Sequence, residues 1–597
     1  MAKQPPTLAE TDAIITSQPA FALADVVIKG ITHKAWAAQP PTYRAYLLPR
    51  FERWSDRTFI DAPPPEPRPK HERESITYGQ ALEQAYAVAG FLRARGAGVG
   101  TKIAIVGFNS INWAVAWVAI HLIGAVPVMV NAALTPDALL HSLKITHPAL
   151  VLADAQSGDT LAPLADKLRA AGVGDVYSYH PNGHLKHAVP VLDFASLVGQ
   201  NAAFVEQVKR GEGLETLGAD SDGTIFFTSG TTGYPKAVLS SQRGGLHNYL
   251  SSYVAPLRAA LRMGAPIDMA MALVMAQDSP PVTLLAVPLF HATGCFGQLV
   301  RGVNDGNKIV LLRRWNVDDA VALMVEHKVD MVGGVPAIPN AILQSGKLPA
   351  DFVMRGLSYG GAPPPARLVA DIVKRWPTAG AATAWGMTET NAIHTIHAGP
   401  DYLARPTSAG PPVPTVQIRI VDPETRKELP QGTAGLVLAK GPNVMLEYYG
   451  NPKATAAVLD KDGWLDTGDG GYIDPEGWLF ITDRIKDIII RGGENIPSTE
   501  VENALFTDSR VAEAAAVPIP DDTLGEVVGV AVSLRKGAKA TGDELIAIAS
   551  PNLRPHARPV FIWVSDTPLD RNANGKLVKK DIKGKLLTAF KRSKGKL

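Results

Sequence analysis

The sequence predicts an α/β protein with a large N-terminal domain of layered sheets and helices and a small α+β C-terminal domain. Three observations carry this. Strand-like and helix-like segments alternate from about Ser75 to beyond residue 370, the pattern of sheets covered by helices. The chain has 597 residues, too many for one ordinary domain. Composition shifts near Asp483, and the strands, helix and basic tail that follow would make a unit of about 110 residues. The expected division is therefore 1–483 and 484–597.

Residues 1–75 read as irregular. Pro63, Pro64, Pro65, Pro67 and Pro69 lie between two strand-like runs, Thr58–Asp61 and Ser75–Tyr78, and fit a surface loop insertion better than an interdomain linker. Tyr78–Arg95 places Leu82, Tyr86, Ala89 and Leu92 at helical spacing and stops at Gly96. Lys102–Gly107 is a short apolar strand. Trp113–Leu134 is apolar and nearly long enough to span a bilayer. His121, Pro127, Asn131 and the break at Gly124–Pro127 instead favour a buried helix followed by a buried strand. Beyond Asp483 come an Ile488–Ile490 strand, a Gly492-Gly493 turn and a helix from about Thr499. Thr499 with Glu502 forms a capping-box pattern, and Val501 and Leu505 share a face. Strands Ala514–Ile519 and Val527–Leu534 follow.

Composition excludes some functions. Hydrophobic residues at 46% and charged residues at 19% do not describe a disordered chain. A net charge of +2 does not suit a protein that coats nucleic acid. One cysteine, Cys295, rules out an intrachain disulfide and fits a reducing, intracellular setting. Met1–Glu10 lacks the pattern of a secretory signal. The small net charge conceals an asymmetry: residues 571–597 carry +9, leaving −7 on the rest.

Chemistry first emerges after the strand-like run Gly223–Phe227. Thr228-Ser229-Gly230-Thr231-Thr232-Gly233-Tyr234-Pro235-Lys236 joins glycines that admit an anion, hydroxyl and N–H donors, and a cation. A polyphosphate suits that set. The spacing is not that of a Walker loop, because Ala237–Ser240 reads as a second strand rather than a helix, and no G-x-G-x-x-G is present. From the residues alone, a Gly/Thr hairpin turn remains open.

This loop resembles the signature segment of the adenylate-forming superfamily, which comprises acyl-CoA synthetases, non-ribosomal peptide adenylation domains and luciferases. Similar segments recur in the family's order to about Lys580. Taken singly, most of them also read as ordinary turns or solvated charge runs. Together they imply an ATP- and AMP-binding site formed by Thr228, Ser229, Gly230, Thr231, Thr232, Gly233 and Lys236, with Gly360, Gly361 and Ala362 as the adenine-binding turn. In Trp385-Gly386-Met387-Thr388-Glu389 the resemblance implies an aromatic ring on adenine, a Thr388 hydroxyl on the α-phosphate and Glu389 on Mg2+. Tyr is commoner at the first position; Trp385 keeps the π face without the hydroxyl. His291, in Pro288-Leu289-Phe290-His291, would line the carboxylate pocket, and Asp469 would grip both ribose hydroxyls.

Asp483-Arg484-Ile485-Lys486-Asp487 resembles the hinge of a mobile lid domain, with Arg484 on ribose or phosphate and Lys486 taking the torsional change. Gly492, Gly493 and Glu494 resemble the loop lining the pantetheine tunnel. Lys576 matches the C-terminal catalytic lysine, although Asp570 stands where Pro is usual. Leu436 in place of Glu, and Glu447 in place of Gly, are further departures.

The implied reaction has two halves. A carboxylate attacks ATP to give acyl-AMP and pyrophosphate, and a thiol then displaces AMP. The implied cofactors are ATP, Mg2+ and CoA. CoA is the expected acceptor because only a short segment follows Lys576. The acyl pocket is expected from His291–Cys295, Val332–Pro336, Ser358–Gly360 and Trp385–Asn391, which hold no evident countercharge for an ammonium and so favour a hydrophobic acid, fatty or aryl. The basic tail suggests contact with the CoA phosphate or an anionic membrane surface. Gly595-Lys596-Leu597 is close to a peroxisomal address, so both cytoplasmic and peroxisomal locations stay open. An enzyme loading a separate carrier protein, a luciferase-like oxygenase and a silent nucleotide sensor are the alternatives. Intact Glu389, Asp469, Arg484 and Lys576 disfavour the sensor.

Overall fold

The computed structural model describes residues 5–65, 71–180, 189–228, 234–275, 279–572 and 575–595, leaving aside the Lys486 side chain. Ser229–Gly233 of the expected phosphate loop, part of the Pro-rich stretch and the terminal Lys596-Leu597 lie outside the described residues.

Two large sheets dominate the N-terminal part. One has seven strands. Asp222–Thr228, Val126–Val130, Lys102–Val106, Leu150–Ala153 and Asp175–Ser178 run parallel within it. Lys236–Ser241 and Glu447–Tyr448 extend it antiparallel at one edge. The other has eight strands. Its parallel body comprises Gly380–Trp385, Gly356–Gly360, Met331–Gly334, Val282–Leu285, Lys308–Leu311 and Thr58–Ala62. Parallel strands are covered on both faces, and Val126–Val130 accordingly buries every residue. One apolar cluster draws side chains from both sheets and from the helices Tyr78–Ala94, Ile111–Leu122 and Gln242–Arg262.

The apolar stretch from Trp113 resolves as the sequence suggests. Its helix has 12 residues, which at 1.5 Å per residue is about 18 Å and too short to cross a bilayer. Gly124, at φ +67°, makes the turn into Val126–Val130. Among the described residues no helix is long and apolar enough to cross a membrane. The Tyr78 helix opens with a capping box of Thr77 and Gln80, and Glu74–Thr77 pairs antiparallel with Thr58–Ala62 across the Pro-rich segment.

A four-stranded sheet ends with Leu479–Arg484, and the next strand, Ile489–Arg491, belongs to a separate five-stranded sheet. Val511–Asp521, Gly525–Leu534 and Phe561–Ser565 complete the latter with the short strand Glu494–Ile496. The basic tail is a helix, Lys579–Ser593, which buries Ile582 and Leu586 against these strands.

Two local expectations fail, the first being the irregular reading of residues 1–75, where the helices Leu8–Thr16 and Tyr43–Arg53 and the paired strands Leu23–Ile28 and Ile31–Trp36 form. The helix after Pro497 spans Ser498–Leu505 and has no capping box. Thr499 donates its hydroxyl to the Thr482 carbonyl. Glu502 accepts from the Ala516 N–H at 3.0 Å and pairs with Lys579 at 2.9 Å. The cap comes from outside the helix: buried Asp483 accepts the Ser498 N–H at 2.6 Å. A carboxylate at a helix N-terminus meets both the free N–H groups and the positive end of the dipole. Tertiary contact thus displaces the local cap.

Burial also fixes the histidines. His121, His180, His247 and His291 are pushed down to about 3, and His394 and His397 to about 4, in each case first by loss of solvent. These rings stay neutral in the folded chain at a pH where the unfolded chain protonates them. Their contribution is therefore intact above the ordinary histidine value and is lost as pH falls below about 6.5. Calorimetry from about pH 7.5 to 5 should show a falling melting temperature, with uptake of about six protons on unfolding near the acid end. A melting temperature independent of pH across that window contradicts this.

Candidate functional site

The candidate site forms where the ends of the large sheets, the four-stranded sheet and the C-terminal loop around Lys576 meet. Thr228 and Lys236 sit opposite each other in an antiparallel ladder, so the expected phosphate loop joins a hairpin rather than opening a helix. Lys236 Nζ lies 4.6 Å from the centre of the Tyr448 ring. Tyr448, in turn, donates its hydroxyl to Glu389 Oε1 at 2.7 Å. Burial first, then the Glu389 carboxylate, pushes the Tyr448 phenol well above its usual value, so it stays a donor. Tyr448 does not stand out in the sequence. Its partner lies 59 residues away, and no local pattern announces the pair.

Glu389 is buried in the turn Thr388–Thr390, just beyond the strand ending at Trp385. The turn is tightly specified. A side chain on Gly386 would collide with the Ala392 carbonyl, and Asn391 and Ala392 adopt φ of +52° and +80°. Three buried asparagines hold this shape. Asn248 donates to the Asn391 carbonyl at 2.6 Å, Asn391 to the Asn443 carbonyl at 2.7 Å, and Asn443 to the Thr390 carbonyl at 2.8 Å. None of the three stood out in the sequence.

Asp469 and Arg484 are ladder partners on adjacent strands, and their side chains pair at 2.7 Å. The Trp385 indole N–H donates to the other Asp469 oxygen at 2.8 Å. Burial raises the proton affinity of Asp469, while Arg484 and Trp385 oppose that rise.

Lys576 reaches this group from the C-terminal part. Its loop is closed by Asn572, whose side chain accepts the Lys576 N–H at 3.0 Å, and Gly575 has φ +76°. A methyl group on Gly361 would lie 3.2 Å from Lys576 Cε, and one on Gly575 would lie 3.2 Å from Val335. Desolvation lowers the Lys576 ammonium, with Arg484 adding to the effect and Asp469 and Glu389 opposing it. His291 is held neutral by burial and by the nearby Lys576 charge. Its Nε2 is buried with no hydrogen-bond partner. Cys295 follows one turn later, fully buried, and burial raises its thiol, which makes it a poor target for thiol reagents.

The structure therefore gathers Lys236, Trp385, Glu389, Asp469, Arg484 and Lys576, with Gly361 against Lys576 and His291 within its electrostatic reach. Gly360 ends its strand with its Cα facing the Ala384 carbonyl. Gly492 and Gly493, at φ +58° and +89°, turn between two short strands, and their surroundings are Leu524 and, through Glu494, Arg554. Among the described residues no group of three or more His, Cys, Asp or Glu could cage a metal. A cation here would share Glu389 with ligand oxygens.

Known proteins share this organisation. A family model described as AMP-binding enzyme matches residues 49–449, and one described as AMP-binding enzyme C-terminal domain matches residues 500–576. 4-Coumarate–CoA ligase 5 of Oryza sativa subsp. japonica is 27% identical over 521 residues, covering 86% of this chain and 90% of its own. The 3-[(3aS,4S,7aS)-7a-methyl-1,5-dioxo-octahydro-1H-inden-4-yl]propanoyl:CoA ligase of Rhodococcus jostii is 29% identical over 511 residues, covering 84% and 92%. ATP-bound MatB from Rhodopseudomonas palustris aligns with a TM-score of 0.71 at 26% identity, covering 91% of this chain and 99% of its own. Because the first family match takes in more than half of its residues, the chain belongs to the AMP-binding enzyme family.

Proposed function

We propose that this protein is an ATP-dependent acid–CoA ligase that activates a hydrophobic carboxylic acid, fatty or aryl, as acyl-AMP and then forms acyl-CoA. The observation that carries this reading is the insertion of Lys576 beside Gly361, within electrostatic reach of Asp469, Glu389 and Arg484. The first half-reaction brings a carboxylate against a polyphosphate, so cationic groups must offset the repulsion. Lys236, Arg484 and Lys576 supply charge from three separate segments. Glu389 would hold an Mg2+ ion accompanying ATP through one hard oxygen ligand, and the ion would offset phosphate charge. The loop Ser229–Gly233 and the Thr388 hydroxyl bind phosphate, Gly360–Ala362 and Trp385 hold adenine, and Asp469 takes the ribose. His291, neutral with a free Nε2, offers a hydrogen bond rather than a countercharge to the acid.

Phe290 and Ala292, next to His291 in the chain, and Val335, in the segment expected to line the acyl pocket, are buried and apolar, which supports a hydrophobic acid. The names of relatives support CoA as acceptor: two of those quoted above are named as CoA ligases. For the second half-reaction the unit 484–597 pivots near Lys486, withdrawing Lys576 and presenting Gly492, Gly493 and Glu494 to the CoA thiol.

A panel of carboxylic acids assayed for pyrophosphate and AMP, with and without CoA, tests the reading. Pyrophosphate with a hydrophobic acid, and AMP only when CoA is added, is the expected result; AMP release that needs a carrier protein instead points to the other acceptor. Lys576→Ala should abolish adenylate formation while sparing thioester formation from supplied acyl-AMP, and equal loss of both halves contradicts the pivot. Tyr448→Phe should slow pyrophosphate release about tenfold, the usual scale for losing a hydrogen bond to a buried charged group, and raise the Mg2+ requirement. An unchanged Mg2+ dependence would show that Tyr448 does not position Glu389.

A further inference from the structure

We propose that Trp385 is a positioning residue for Asp469, whose indole N–H sets the carboxylate so that the site selects a ribose over a 2′-deoxyribose; this rests on the functional reading above. A carboxylate offers about four lone-pair positions. Among the described residues Arg484 Nε forms an ion pair with Oδ1 at 2.7 Å and Trp385 Nε1 donates to Oδ2 at 2.8 Å. Each oxygen keeps a position for one more donor, which matches two hydroxyls of a vicinal diol. Partners on opposite oxygens also fix the carboxylate plane, which a single partner leaves free to rotate.

The indole is itself held in place. The Trp385 ring meets His394 edge-on, with centroids 5.8 Å apart and planes at 88°. His394 is anchored by the Gln417 carbonyl at 3.1 Å and by Asn443 at 3.3 Å. Its backbone N–H donates to the Trp385 carbonyl at 2.9 Å. The donor is thus aimed at Asp469 before any nucleotide arrives, and no ordering cost falls on binding. The buried Asp469 is biased toward its neutral form, which accepts fewer hydroxyl donors, and the indole bond opposes that bias. Phenylalanine keeps a smaller aromatic face for adenine and removes the donor; because both nucleotides carry the same base, their ratio isolates the donor's role.

The test compares wild type, Trp385→Phe, Asp469→Asn and the double variant, using KM and kcat for ATP and for 2′-deoxy-ATP in acid-dependent pyrophosphate release, with direct nucleotide binding alongside. Trp385→Phe should raise the KM for ATP about tenfold, more than it lowers kcat, and shrink the preference for ATP over 2′-deoxy-ATP by a similar factor. The acid limb of kcat/KM for ATP should move to higher pH. In the Asp469→Asn background the substitution should add little to the loss of preference, because the two residues act as one unit. A Trp385→Phe protein that discriminates the two nucleotides as wild type does, or whose effect is fully additive with Asp469→Asn, overturns the inference alone. A wild type that binds no ATP overturns the functional reading and this inference together. If Trp385→Phe melts too low to assay, Trp385→Leu, which also lacks a donor, carries the same ratio of ATP to 2′-deoxy-ATP, because loss of the ring affects both nucleotides alike.

Discussion

The arrangement turns on a charged lysine side chain taken out of water. Lys576 arrives on a loop of the C-terminal part and lies against Gly361, where desolvation lowers its proton affinity and Arg484 lowers it further. Asp469 and Glu389 compensate only in part. Burying a cation costs several kcal/mol unless pairing is good, so this cleft is under-supplied with negative charge. Under the proposed reaction, a triphosphate and a carboxylate supply it. That charge imbalance would then favour the polyanionic reactants, and it ties the placement of the C-terminal part to the chemistry.

A second constraint holds the receiving side of the cleft. The turn carrying Glu389 uses positive φ at Asn391 and Ala392, a conformation that side chains rarely adopt unaided. Asn248 and Asn443 donate to its carbonyls from a helix and a distant loop, and Asn391 in the turn donates back to the Asn443 carbonyl. Buried amide N–H groups bonded in this way favour one geometry over several. Tyr448 extends the same logic outward, linking the strand beside Lys236 to the Glu389 carboxylate. The strands Lys236–Ser241 and Glu447–Tyr448 and the turn carrying Glu389 are thereby tied together.

Much of the layout could be read from residues in order. The Tyr78 helix with its Thr77 cap, the helix–strand break at Gly124 and the hairpin joining Thr228 to Lys236 follow from periodicity and turn chemistry. The capping box at Thr499 did not survive, because Asp483 offers a charged acceptor to Ser498 from across the junction, while Thr499 and Glu502 find partners elsewhere. Trp385 was legible as an aromatic ring, but its N–H bond to Asp469 was not, since it spans 84 residues.

The sequence by itself determined the α/β layering, the break into a large and a small part, and the identity of the charged residues, because these depend on local periodicity and on short strings with fixed internal spacing. Only the tertiary structure decided who faces whom: Lys576 against Gly361, Tyr448 against Glu389, and Trp385 and Arg484 on opposite oxygens of Asp469. Those pairings join strands and loops remote in the chain. Their strength also comes from burial, which removes water as a competitor, and burial exists only once the sheets and loops have closed around them.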